Sequence, residues 1–190
     1  VAQRSKAHRA FIVTDALFSM DGDVAPLAAL RTLANEFEAS LYVDEAHSVG
    51  VLGPAGRGAC AAARVQPDVL IGTLGKAFGL AGAFAASDAD TVAWLYNRAR
   101  SFVFSTGPQP SLAAQVVAAV PLVHAADAER ARVVRHSERL RAHLGPAVFA
   151  PVGRGDMAAQ RVRQQLHAVA NAQHGHAGGQ HIVGQLRRAR

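Results

Sequence analysis

The chain has 190 residues, half of them apolar, enough to bury the core of one ordinary domain; its single cysteine, Cys60, excludes an internal disulfide framework and a cysteine-based zinc site and fits a reducing, cytoplasmic setting. No apolar run reaches the roughly 20 residues of a membrane span, so no membrane association is expected. The formal net charge of +6 is carried by eighteen arginines and two lysines, but acidic residues outnumber basic ones between positions 11 and 97 and aromatics do not interleave with the arginines, so a solvated arginine face on Arg130, Arg132, Arg135, Arg139 and Arg141 is expected rather than a nucleic-acid partner.

In chain order, "FIVTDALF" (11–18) reads as a buried strand, followed by a "SMDGD" loop with Gly22 free to turn. Pro26 suits the first turn of a helix over 26–39, whose Leu27, Leu30, Leu33, Ala34 and Phe37 form one apolar stripe. "LYV" is a second strand running into Asp44, "GVLGPAGRG" a glycine-rich loop, "DVLIGT" a third strand and "GAFAAS" a fourth. "DADTVAWLYNRA" is a helix capped by Ser87 or Asp88. A long helical stretch runs from about Ser111 to Leu144, with a bend expected near Pro121. After Gly145 the pattern deteriorates into a Gln-, His-, Arg- and Gly-rich tail with one acidic residue, expected to be poorly ordered. Its His174, His176 and His181 lack a nearby carboxylate or cysteine, so no metal site is expected.

Strands alternating with helices imply an α/β architecture with a largely parallel sheet, in which ligands bind beyond the carboxyl ends of the strands. Three polar clusters fall there: Ser19, then Asp44 with His47, then Thr73 with Lys76. For any one of them a structural role is the ordinary expectation, such as Asp44 capping a turn or His47 satisfied in the core. Three at successive strand ends point instead to a site. Lys76 stands out, being one of only two lysines and lying among glycines and apolar residues in "GTLGKAFGLAG". "LYVDEAH" spells a helicase magnesium box, but such an enzyme needs G-x-x-x-x-G-K-[ST], and around Gly75-Lys76 the first glycine is Leu70 and the Ser or Thr is Ala77. A lysine amine in an apolar setting forms Schiff bases. With pyridoxal 5'-phosphate the protein must also supply an acid for the ring nitrogen, a partner for the phenolic oxygen and donors for the phosphate, needs that Asp44, His47 and Thr73 meet in kind and spacing.

"FSMDGDVAPL", "YVDEAHSVGVLGPAGRG" and "DVLIGTLGKAFGLAGAF" together resemble the α-oxoamine synthases, pyridoxal-phosphate enzymes of the aspartate-aminotransferase type (fold type I) that condense an amino acid with an acyl thioester and release carbon dioxide. The resemblance covers residues 11 to about 110. It implies that residues 1–110 are part of an incomplete cofactor-binding large domain with a mostly parallel sheet flanked by helices. Residues 111–145 would be the helical connection towards a small domain, and 146–190 a divergent tail.

The same resemblance implies that Lys76 makes the Schiff-base linkage and later removes the Cα proton. Asp44 would pair with the pyridinium nitrogen and His47 with the phenolic oxygen, while Ser19 lies beside the cofactor and Thr73 contacts its phosphate. Ser105 and Thr106 would reach the phosphate of a second subunit in a homodimer. "TDALFSMDGD", "GTLGKAFG" and "NRARSFVFST" look most like the biotin-pathway member, implying L-alanine and a pimeloyl thioester of coenzyme A or an acyl carrier protein as substrates; other members of the family, and a non-catalytic remnant, stand as alternatives. Family members carry a phosphate loop, a ring-stacking residue and a substrate-carboxylate arginine that no segment here matches, so weak activity at best is expected of this chain alone.

Overall fold

A computed structural model describes residues 9–20 and 22–144. Its centre is a four-stranded sheet in the order β1 (Phe11–Asp15), β2 (Ser40–Asp44), β3 (Val69–Thr73), β4 (Ala83–Ser87). The first three strands are parallel, with Asp15 opposite Asp44 and Asp44 opposite Ile71. The fourth is antiparallel. A parallel return takes a connection of about a dozen residues or more, and the short loop from Thr73 to Ala83 allows only reversal.

Helix α1 (Leu27–Glu36) covers one face of β1 and β2. Leu27, Leu30, Leu33 and Ala34 are buried along it and meet Ile12, Leu41 and Val43, the inward residues of the two strands. Phe37 packs at the margin of this core, and Pro26 lies just outside the helix, immediately before Leu27. The opposite sheet face shows Phe11 and Val13 to solvent, with Phe11 edge-on to Tyr42 at 5.5 Å between ring centroids. The strand read over 11–18 ends earlier, at Asp15. Beyond it Leu17 bridges Val24, and the intervening turn uses Gly22 at φ +70° with its N–H on the Phe18 carbonyl.

Between β2 and β3 the glycine-rich loop is built on a 3₁₀ turn (Pro54–Gly56) and a short helix α2 (Ala59–Ala62). Helix α3 (Ala89–Arg98) begins on Asp88, whose Oδ1 accepts from the Thr91 N–H at 2.9 Å, as its sequence implied. A short α4 (Arg100–Val103) precedes α5 (Pro110–Ala125) and α6 (Asp127–Leu144). The long helical stretch is thus two helices bent by 64°. The break falls at Ala126 rather than at Pro121, which α5 accommodates. No single helix among the described residues is long and apolar enough to cross a membrane. The tail read as poorly ordered lies outside the described residues.

The corner between α5 and α6 is closed by Arg130. The guanidinium donates to the carbonyls of Val123 at 2.6 Å and His124 at 3.0 Å, the last turn of α5, and to Asp127 Oδ1 at 2.7 Å. It is 9% exposed, so the expectation of a solvated arginine face is corrected at this position. Carbonyls at a helix end have no intrahelical donors, and a planar fork of N–H groups meets two of them at once.

Candidate active site

The carboxyl ends of β2 and β3 lie side by side, and the chain leaves each through a tight turn. From β2, Glu45 accepts backbone bonds from Ser48 and Val49 through its own carbonyl, which curls residues 45–51 over the sheet end and presents His47. From β3, the Gly79 N–H bonds to the Lys76 carbonyl at 3.0 Å and the Leu80 N–H to the Leu74 carbonyl at 2.8 Å, a tight loop with Lys76 on its outside. The two turns meet. Lys76 Nζ lies 2.7 Å from His47 Nε2.

That contact needs the loops to approach closely, and a glycine permits it. A Cβ built on Gly50 would sit 2.5 Å from Ala77 Cβ, next to the lysine, and Gly50 has φ +83°. Asp44, half-buried at the last position of β2, accepts the Ala46 N–H on Oδ1 at 2.8 Å. The turn-capping role anticipated for it is therefore real, and Oδ1 is committed to holding the turn that carries His47.

Thr73 accepts the Gly75 N–H at 3.1 Å and donates to the Gly82 carbonyl at 3.3 Å, closing the base of the lysine loop. The structure thus joins Asp44, His47, Thr73 and Lys76 across two adjacent strand ends. Ser19 is not brought into this contact network; it sits exposed in the turn between Leu17 and Val24. Ser105 and Thr106 are exposed beyond α4, where the Ser105 hydroxyl donates to the Phe102 carbonyl at 2.9 Å.

One expectation fails here. Lys76 is exposed, as are Gly75 and Ala77, so its apolar neighbours in sequence do not enclose the amine. The loop turns Leu74, Phe78 and Leu80 partly inward and leaves the lysine outside.

The sequence reading gave Glu45 no role beyond the helicase motif, yet it is fully buried. Its carboxylate accepts the Ala59 N–H at 2.9 Å, the Cys60 N–H at 2.7 Å and the Ser48 hydroxyl. It binds the start of α2 to the turn that carries His47, and Gly58 leaves it room, since a Cβ there would meet Oε2 at 2.5 Å. Burial first, then the adjacent Glu45 carboxylate, push the Cys60 thiol far above its ordinary range, so it stays protonated and inert. Among the described residues no three His, Cys, Asp or Glu side chains are grouped to hold a metal; His174, His176 and His181 lie outside the described residues.

Comparison with known proteins identifies the family and the fold. The family model "Aminotransferase class I and II" matches residues 2–169. The 8-amino-7-oxononanoate synthase of Aromatoleum aromaticum is 52% identical over 142 residues, 74% of this chain and 37% of its own length. The crystal structure of 8-amino-7-oxononanoate synthase from Francisella tularensis superposes with a TM-score of 0.57 at 31% identity, over 67% of this chain and 38% of that one. A variant of serine palmitoyltransferase from S. paucimobilis, solved with a bound pyridoxal phosphate–myriocin aldimine, superposes with a TM-score of 0.69 at 29% identity, over 75% of this chain and 37% of that one. The chain thus spans less than two fifths of the relatives it matches. The chain belongs to the aminotransferase class I and II family, in its α-oxoamine synthase branch.

Proposed function

We propose that this chain supplies the lysine, histidine and carboxylate of a pyridoxal phosphate site, and that the enzyme it serves condenses L-alanine with a pimeloyl thioester in biotin synthesis. The 2.7 Å contact between Lys76 Nζ and His47 Nε2 carries this reading, because it places an amine and an imidazole together at the strand ends where such sheets bind ligands. The residues fit the cofactor in kind. Lys76 is an exposed amine able to hold an aldehyde carbon, and His47 stands ready as partner to a phenolic oxygen. Asp44 offers Oδ2 to a protonated ring nitrogen while Oδ1 keeps the turn. The Thr73 hydroxyl can exchange its long bond to the Gly82 carbonyl for a phosphate oxygen. A Cβ on Gly79 would meet nothing within 4 Å, so the loop is open to an incoming group.

When bound, the cofactor supplies an electron sink for charge developing at the amino-acid α-carbon. The protein's own part is to hold and move protons. Lys76, once its amine is free, takes the α-proton; His47, hydrogen-bonded to that amine, orients it. Across the whole condensation one carbon–carbon bond forms, the thioester carbon–sulfur bond breaks, the alanine carboxylate leaves as carbon dioxide and the thiol is released. Ser19 is assigned a polar contact beside the cofactor. Ser105 and Thr106 are assigned to the phosphate side of a second copy's site, which makes the working enzyme a homodimer.

The identity to 8-amino-7-oxononanoate synthases favours L-alanine and the pimeloyl thioester, on coenzyme A or a carrier protein. The likeness to serine palmitoyltransferase supports a second reading with another amino acid and acyl chain. The test is to mix the full chain with pyridoxal phosphate, reduce with borohydride and map the label by peptide mass. Label on Lys76 in preference to Lys6, with a visible band absent from Lys76→Ala and perturbed by L-alanine more than by serine, is the expected result. Equal labelling of both lysines would sink the proposal, and a stronger response to serine would favour the second reading.

A further inference from the structure

We propose that Arg130, far along the chain in α6, is a positioning residue for Lys76, acting through Gly50 and Ala77. Arg130 is buried, and each of its five N–H donors has a partner. Nε and one Nη2 hydrogen go to Asp127 Oδ1, the other Nη2 hydrogen to the His124 carbonyl, and the two on Nη1 to the carbonyls of Val123 and Gly50. The last bond, 3.5 Å long, leaves the helical corner and reaches the His47 turn.

Around that bond there is no slack. A Cβ on Gly56 would stand 2.7 Å from Arg130 Nη1 and 3.1 Å from the Gly50 Cα and carbonyl oxygen. A Cβ on Gly50 would stand 2.5 Å from Ala77 Cβ on one side and 3.5 Å from Val123 Cγ1 on the other. Position 50 is therefore gripped between the α5–α6 corner and the lysine loop. The Gly50 N–H in turn bonds to the Gly56 carbonyl at 2.7 Å, so the 3₁₀ turn moves with it. Packed groups this close transmit displacement rather than absorb it. If the corner relaxes, the His47 turn loses its backing and the bond from His47 to Lys76 is the contact that yields.

The catalytic meaning of this rests on Lys76 being the cofactor-bearing lysine; the positioning itself does not. The chain offers an internal reference, because Lys6 is its only other lysine. The full chain, without cofactor, is treated with limiting formaldehyde and cyanoborohydride, and the ratio of Lys76 to Lys6 methylation is read by peptide mass, with far-ultraviolet circular dichroism to confirm the fold. In Arg130→Ala the ratio should rise about two- to tenfold, the range that freeing one net hydrogen bond supports. Arg130→Lys should give a smaller rise, since a point ammonium cannot fill five donor positions.

Asp127→Ala should move the ratio in the same direction. Its side chain is 80% exposed, so the fold survives its loss. A merely structural Arg130 would lower thermal stability and leave the ratio unchanged, and that result would overturn the proposal. If Arg130→Ala does not fold, an unchanged ratio in Asp127→Ala overturns it instead. A shifted ratio in a chain that takes up no pyridoxal phosphate would uphold the positioning and remove the cofactor reading.

Discussion

Glu45 is the residue on which the His47 turn depends. Its carboxylate gathers two backbone N–H groups and a hydroxyl in a fully buried position, and a buried acceptor set of this kind loses most when the side chain changes. Glu45→Gln should cost about 2–3 kcal/mol in urea unfolding. Gly58→Ala should cost about as much, from a φ of +95° and a methyl forced against Oε2. Because both act on one contact, the double variant should cost less than the sum, and a fully additive pair would refute the anchoring. Glu45 was legible in principle. Leu41, Val43 and Glu45 alternate on the inward face, so the strand period alone puts a carboxylate in the core, where glycine-rich backbone must satisfy it. Reading "DEAH" as a motif drew attention to its neighbours instead. That Lys76, Asp44, His47 and Thr73 gather at one rim was legible because each follows or ends a strand of a parallel sheet. The exposure of Lys76 was not, since enclosure depends on which loop atoms turn inward.

At the scale of elements, the joint between α1, β2 and β3 is made by Asp68. Its Oδ2 accepts from Arg31 Nη1 at 2.7 Å and from the Leu41 N–H at 2.6 Å. Burial by itself would raise its pKa, but the Leu41 N–H and the Arg31 guanidinium together hold it below the ordinary carboxylate value. A depressed folded-state pKa contributes stability above the unfolded value, near 3.9, and loses it as pH falls through the folded one. Asp68→Asn should therefore be less stable than the parent at neutral pH by about 1 kcal/mol, kept small because the side chain is 47% exposed. The gap should close in acid. A gap that persists unchanged at pH 2 would mean that the ion pair and amide bond are not its source.

Element boundaries were read well where a local signal marks them. Asp88 caps α3 and the apolar stripe of α1 faces the sheet, whereas Pro26, read into the first turn of a helix over 26–39, lies just before a helix that ends at Glu36. The sense of β4 and the site of the α5–α6 bend were not, because both depend on contacts distant in sequence. Pro121 removes one helical donor, and around it Val117 and Leu122 lie open to water, where a carbonyl is readily solvated. The bend falls where Arg130 meets the last carbonyls of α5, a partner no local window contains.

At the scale of the molecule, the core formed by the described residues is one-sided. Apolar burial concentrates between α1 and the β1–β2 face, while Trp94 (62% exposed), Phe104 (78%), Val117 (75%) and Leu122 (72%) face outward. Scattered apolar residues are ordinary on a surface, but this many large ones on α3–α5 are not. The chain should self-associate at micromolar concentration, and Val117→Lys with Leu122→Glu should shift it towards monomer without lowering its thermal midpoint by more than about 2 °C, since exposed positions contribute little to folding. Sedimentation velocity across a concentration series checks this; a monomer throughout would show that the outward face does not drive association. The fold class was legible from alternation of strands and helices, but the bareness of these faces was not. Composition counts apolar residues without saying which have partners.

Strand order in the sheet follows chain order, β1-β2-β3-β4. As the polypeptide leaves the ribosome, β2, β3 and β4 each find the described strand before them already made. The amine and imidazole at the rim can meet as soon as β3 and its loop emerge. The guanidinium that backs them is synthesised much later, after α5 is complete. A nascent chain halted between those points would hold Lys76 beside His47 without the bond from Arg130 to Gly50, so this contact is made from the amino end and braced from the carboxyl end.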